Sequence, residues 1–135
     1  MATITLRQYI TAGRATFTLQ NPRTGNHYTF KVVRDASEGG NPDHYYVRVL
    51  GDNGRYMGLG MLLFGKRYCA GRKREWPSSK VFAWAWDYVL AGLPIPRPCE
   101  FLKSTKCARC GRELTTPESI ESGFGPECEK RASAA

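Results

Sequence analysis

The chain has 135 residues, a formal net charge of +8 and a pI of about 9.5. That length holds one domain with a modest core and a small additional unit. No apolar run reaches membrane length, the opening Met-Ala-Thr-Ile-Thr-Leu-Arg lacks the layout of a signal peptide, and five cysteines fit a reducing cytoplasm better than a disulfide framework.

Residues Thr5–Ala12 read as a short helix capped by Thr5 and stopped by Gly13, with Leu6 and Ile10 on one face. Alternation then takes over. Ala15, Phe17 and Leu19 point one way, and Thr16, Thr18 and Gln20 the other. After a turn at residues 21–26, Tyr28, Phe30 and Val32 alternate with Thr29, Lys31 and Val33. A polar loop over Ser37–Asp43 leads to Tyr45, Val47 and Val49, which alternate with Tyr46, Arg48 and Leu50. Asp52-Asn53-Gly54-Arg55 predicts a type I′ hairpin, since Asn-Gly accepts positive φ. A fourth strand, Tyr56–Phe64, carries Gly58 and Gly60, which predict a bulge or a large neighbour packed close, with the next helix and its tryptophans as the expected neighbour.

Residues 65–80 hold six basic residues against one acid and read as a loop. Ser78 or Ser79 is the expected cap of a helix running to about Ala91 and stopped by Gly92. Phe82, Ala85, Trp86, Val89 and Leu93 line one face of it; Val81, Trp84, Tyr88 and Ala91 line the other. A helix apolar nearly all round is either buried on two sides or offers a surface to a partner. Leu93–Pro98, with three prolines, is an extended link.

The fold class that follows is α+β. An antiparallel four-stranded sheet packs with one main helix over residues 1–98, a small zinc-knuckle-like module spans 99–131, and 132–135 form a disordered tail, with fraying from Glu129.

The module is read from its cysteines. Cys107 and Cys110 are two residues apart with Gly111 after them, and Cys128 follows Cys110 with seventeen residues between. This is the form of a knuckle that aims two thiolates at one ion, with a third returning to it. Structural zinc takes four ligands, and Cys99, eight residues before Cys107, is the favoured fourth. A short strand over Glu100–Leu102 and a turn at Lys103–Lys106 would bring it back; a histidine, a carboxylate or water are the alternatives. Cys69 reads as a half-buried thiol, and His27 and His44 as satisfied surface or edge residues. Thr115 or Thr116 before Pro117 opens a short helix, with Glu118 in its first turn and Gly123 as its stop, and Gly125-Pro126 opens a second turn that carries Cys128. Leu114, Ile120 and Phe124 are too few apolar residues for a core, so the module is expected to depend on one structural zinc ion to fold.

The run CxRCGRxLTxPxSIxxGxGPxC over Cys107–Cys128 resembles the carboxy-terminal signature of an uncharacterised family of small phage and bacterial proteins. The resemblance implies a zinc-binding module after a β-rich segment, a viral or mobile-element origin, and so a place in the host cell cytoplasm. It implies no activity. Relatives often carry a histidine just before the first signature cysteine. Here the residues are Leu102-Lys103-Ser104, which again favours Cys99.

For function, the leading expectation is a non-enzymatic nucleic-acid-binding protein, with single strands favoured. A sheet covered on one face leaves Thr16, Thr18, Thr29, Lys31, Tyr46 and Arg48 on the other, a mixture of phosphate-binding charge and a stacking ring. Lys66, Arg67, Arg72, Lys73 and Arg74 would extend the positive track, and Trp76 could stack. The alternative is a protein-binding module, a viral inhibitor or adaptor of a host complex, docking through Trp84 and Tyr88 or through an open Met57/Leu59/Met61/Leu63 face. No P-loop, dinucleotide fingerprint, Ser/His/Asp array or paired carboxylates point to an enzyme.

Overall fold

The computed structural model describes residues 4–133. Thr5 opens α1 (Leu6–Ile10) through a capping box: its hydroxyl accepts the Gln8 N–H, and the Gln8 side chain accepts the Thr5 N–H. The alternating segments become β1 (Arg14–Gln20), β2 (His27–Arg34), β3 (Tyr45–Leu50) and β4 (Tyr56–Leu63), each antiparallel to the next. The sheet has six strands rather than four, in the order β5-β4-β3-β2-β1-β6. β5 (Arg67–Ala70) arises within the basic segment, and β6 (Glu100–Lys103) lies at the start of the expected zinc module. These two short strands cover the open edges of β4 and β1, where unpaired backbone groups would otherwise face water.

One face of the sheet is buried. Ala15, Phe17, Leu19, Phe30, Val32, Tyr45, Val47, Val49, Leu59 and Leu62 meet Phe82, Ala85, Trp86 and Val89 of α2 (Pro77–Leu90) and Tyr9 and Ile10 of α1. Phe17 stacks on Phe101 at 4.7 Å between ring centres, and Trp86 Nε1 donates to the Lys66 carbonyl at 2.8 Å. The helix begins two or three residues earlier than expected. Trp76 is its N-cap and Pro77 its first residue, so Ser78 and Ser79 lie buried inside the first turn, where the Ser79 hydroxyl pairs with that of Tyr68. Proline preset for the helix outweighs the serine caps here. Leu93 lies beyond the helix and is exposed.

Two local expectations change. The turn after β3 is not type I′: of its residues only Gly54 has positive φ, whereas type I′ needs two. It is a three-residue loop closed by the Gly51 N–H on the Arg55 carbonyl. The bulge in β4 forms, at the register shift between Val47 and Arg48, but the close neighbour of Gly60 is the backbone of β5 at Cys69, not the helix. The bulge buries Leu59 and leaves Met57 and Met61 half-buried, so Met57, Leu59, Met61 and Leu63 do not form one open apolar face.

Past β6, the chain forms α3 (Pro117–Ser122) and α4 (Pro126–Ser133). Helix continues through Ser133, where fraying was expected; residues 134–135 lie outside the described residues. Cys107, Ala108, Leu114 and Phe124 belong to the same buried cluster as the sheet and α2. No helix among the described residues is long and apolar enough to cross a membrane.

Candidate metal centre and basic face

The knuckle is sewn to the start of β1. The Arg14 N–H donates to the Ala108 carbonyl at 2.7 Å, and the Ala108 N–H to the Gly123 carbonyl at 2.8 Å. The Gly111 N–H donates to the Cys107 carbonyl at 2.9 Å, and Gly111 takes φ of 80°, which closes the turn between the first two cysteines. Thr116 caps α3 through the Ser119 N–H, and Gly123 ends it in the left-handed region, both as the sequence predicts. The chain then turns into α4, whose first turn carries Cys128.

This folding brings the Sγ atoms of Cys107, Cys110 and Cys128 within 4.8 Å of one another. The three thiols can hold a metal ion. With a metal–sulfur bond of about 2.3 Å, tetrahedral geometry sets the sulfurs about 3.8 Å apart, so they need close up by only about 1 Å. Cys107 is buried, Cys128 half-buried and Cys110 exposed.

The electrostatics favour thiolate at Cys107. Burial, the largest single influence, would raise the Cys107 thiol, but backbone hydrogen bonds from Cys110, Gly125 and Arg109, with a further one from the Cys110 side chain, bring it down to about 7. Cys128 moves the other way. Burial and the neighbouring sulfurs of Cys107 and Cys110 push it up, against the Arg109 guanidinium, whose Nη1 lies 3.7 Å from its sulfur. One thiolate formed among three sulfurs makes the next harder to form, a penalty that a divalent cation removes.

Cys99, the expected fourth ligand, lies outside this group. It immediately precedes β6, whose Glu100 pairs with Gln20 and whose Lys103 pairs with Phe17. The strand runs away from Cys99 toward the knuckle, leaving roughly 13 Å of extended chain between them. Burial, then the Glu100 charge, push the Cys99 thiol up. His27 and His44 are also elsewhere. His27 Nδ1 sits 3.1 Å from the Gly25 carbonyl, and His44 Nδ1 accepts the Phe64 N–H at 3.1 Å.

The segment is matched in one comparison. Residues 100–133 fit the sequence model of DUF6011, a family of unknown function. The match spans about a quarter of the chain, from β6 to the end of α4, and includes all three clustered cysteines but not Cys99. No curated protein and no solved structure matches the chain.

The second candidate site is the uncovered sheet face. Lys31 and Arg48 are direct cross-strand partners, and Thr16 pairs with Lys31 on its other side. Tyr46, 36% exposed, lies beneath the Arg48 guanidinium at 5.9 Å, and Lys31 Nζ stands 4.6 Å over the ring of Tyr56. In β5, Tyr68 turns inward onto Phe82, which leaves Arg67 on the face of Tyr46 and Arg48. Lys66 sits in the tight connection before β5. Arg72, Lys73 and Arg74 follow β5 on the turn into α2, at the sheet edge rather than on its face, and Lys73 Nζ already covers the Trp76 ring at 5.3 Å.

Two residues join the sites without having been singled out. Arg14 stands on the open face of β1, and its Nη1 lies 3.5 Å from the Cys110 carbonyl. Its phase with Thr16 and Thr18 was the available signal. Arg109, inside the knuckle, carried none beyond its charge.

Proposed function

We propose that this is a zinc-stabilised, non-enzymatic nucleic-acid-binding protein that takes single strands across the open face of its sheet. One observation carries the reading: β1 to β5 contain five Arg or Lys residues (Arg14, Lys31, Arg34, Arg48 and Arg67) and no Asp or Glu. All twelve acids lie outside these strands. Four of the five cations, Arg14, Lys31, Arg48 and Arg67, share the uncovered face with Tyr46 and Tyr56. Charge for phosphate and rings for bases are what a single-strand platform requires. The turn from Arg72 to Trp76 extends the positive field around the edge.

Zinc is the ion that fits the triad best. Three soft thiolates at a knuckle, with backbone N–H groups donating to one sulfur, favour zinc over hard cations. The ion would hold α3 and α4 against β1 and β6.

The reading is tested by fluorescence anisotropy of labelled single- and double-stranded oligonucleotides at two salt concentrations. Binding that weakens steeply with salt supports it. No binding at low salt transfers weight to a protein partner, such as a host complex that this chain inhibits or bridges. The specific support for that second reading is Trp84, 39% exposed and edge-on to Tyr88 beside a cavity of about 410 Å³ lined by Tyr28, Pro77, Val81 and Pro96.

A further inference from the structure

Structural zinc sites are closed by four protein ligands, whereas sites that exchange ligands keep a position open. Here three donors converge and, among the described residues, no fourth His, Cys, Asp or Glu joins them. The triad also borders an open cavity of about 390 Å³, whose other walls include Arg112, Glu113, Thr116 and Glu127. Cys110 is the exposed member of the three.

We infer that the metal held by Cys107, Cys110 and Cys128 keeps an exchangeable fourth position that opens into this cavity, holds water in the isolated protein and accepts a neutral nitrogen donor of the imidazole class. The inference rests on the reading of the triad as a metal site and specifies its coordination. Softness admits the donor: imidazole nitrogen suits zinc, completes the common three-cysteine-plus-histidine set, and adds no further negative charge to a site that three thiolates leave one unit negative around a divalent ion. The cavity sets the direction of the opening, since all three cysteines line it. Hydrogen bonds from Cys110, Gly125 and Arg109 reach the Cys107 sulfur, and the Arg109 guanidinium stands against Cys128.

The test uses the full chain loaded with Co²⁺, carrying Cys69→Ser and Cys99→Ser so that no other thiol can close the site. Thiolate-to-cobalt charge-transfer absorption reports that the triad has bound. The d–d bands report its coordination, and imidazole is the probe. The expected result is a charge-transfer band of unchanged intensity with d–d bands that shift saturably as imidazole is added. X-ray absorption of the zinc form should give three sulfurs and one lighter donor. Absence of the charge-transfer band overturns the metal reading itself. Charge-transfer absorption with d–d bands indifferent to imidazole overturns only the open position. If Glu127→Gln or Glu113→Gln then restores the response, that carboxylate is the fourth ligand and the site is closed in the native protein.

Discussion

Gly123 lies flat against the ring of Tyr9: a Cβ built on Gly123 would overlap Cε2 of that ring. The contact joins the left-handed end of α3 to the one side chain of α1 that is wholly buried, and Tyr9 itself stands edge-on to Phe101 and Phe124. Gly123 also accepts the Ala108 N–H, one residue from the first cysteine of the triad. Gly123→Ala therefore meets two obstacles, a φ of 84° and a filled space. It should destabilise the fold by roughly 2–4 kcal/mol and loosen the knuckle with it. Thermal melts with and without zinc check this; a variant as stable as the wild type would show that the ring moves aside freely.

The knuckle and the sheet should unfold together. Phe124 and Cys107 are as buried as Phe17 and Phe30, and Lys103 of β6 donates to the Ser122 carbonyl at 3.2 Å at the end of α3. The expected result is one cooperative transition that moves down on chelation, since an ion present at a thousand times its Kd adds about 4 kcal/mol. Cleavage at Leu93–Pro98 should then yield no independently stable β-rich fragment. Two separate transitions in a calorimetric scan would show two units instead.

Cysteine variants test which thiols hold the metal. Cys99→Ser should leave metal affinity unchanged. Cys107→Ser should weaken it by more than the roughly 10–100-fold typical of outer partners of a metal site. Competition with a chromophoric chelator measures both; an equal loss in the two variants would return Cys99 to the site.

Much of this was legible in the chain. Phe17, Phe30 and Val47 announced the buried face through simple alternation, because strands covered on one side by a helix must alternate. The spacing of Cys107, Cys110 and Cys128, and the Thr116 and Gly123 ends of α3, were local and therefore readable. The edge strands were not. Arg67–Ala70 is short and opens on a charge, and Glu100–Leu102 was legible as a strand but not as a partner of β1, since pairing across some eighty residues leaves no local mark. That pairing also sets Cys99 apart from the cluster, since the strand between them cancels its nearness in sequence to Cys107.

Alkaline pH should expose the burial of Tyr9. Desolvation, with an added push from Cys107, holds its phenol up at about 12 against an ordinary 10, although hydrogen bonds from Ser104 pull it partly back. Below pH 10 both folded and unfolded chains keep the proton, and the group leaves stability unchanged. Between about pH 10 and 12 only the unfolded chain loses it, so stability falls as pH rises, by about 1.4 kcal/mol per unit. Tyr9→Phe should remove that part of the slope. At neutral pH it should cost about 1 kcal/mol, since the hydroxyl donates to the Thr16 carbonyl at 2.9 Å. Denaturant melts across this range compare the two proteins, and parallel slopes would assign the decline to other groups.

The open face and the basic edge make different predictions for nucleic acid. On the face, Arg14, Lys31 and Arg48 lie on three neighbouring strands with Cα atoms within about 12 Å of one another. At the edge, Arg72 and Arg74 are exposed on a turn, while Lys73 is partly engaged with Trp76. If single strands cross the face, changing Arg14, Lys31 and Arg48 to alanine should lower the salt slope by roughly two units and weaken binding by orders of magnitude. Changing Arg72, Lys73 and Arg74 should cost less, through loss of the long-range field. Tyr46→Ala should cost about 1–3 kcal/mol on single strands and little on duplexes, because only an unpaired base can stack on the ring. None of these side chains lies in the core, so melting temperatures should stay within a few degrees of the wild type. Titrations of the wild type and the two triple variants at two salt concentrations decide between the surfaces. A larger loss in the edge variant would move the binding track to the turn before α2. Equal affinity in all three would remove the sheet face from the mechanism.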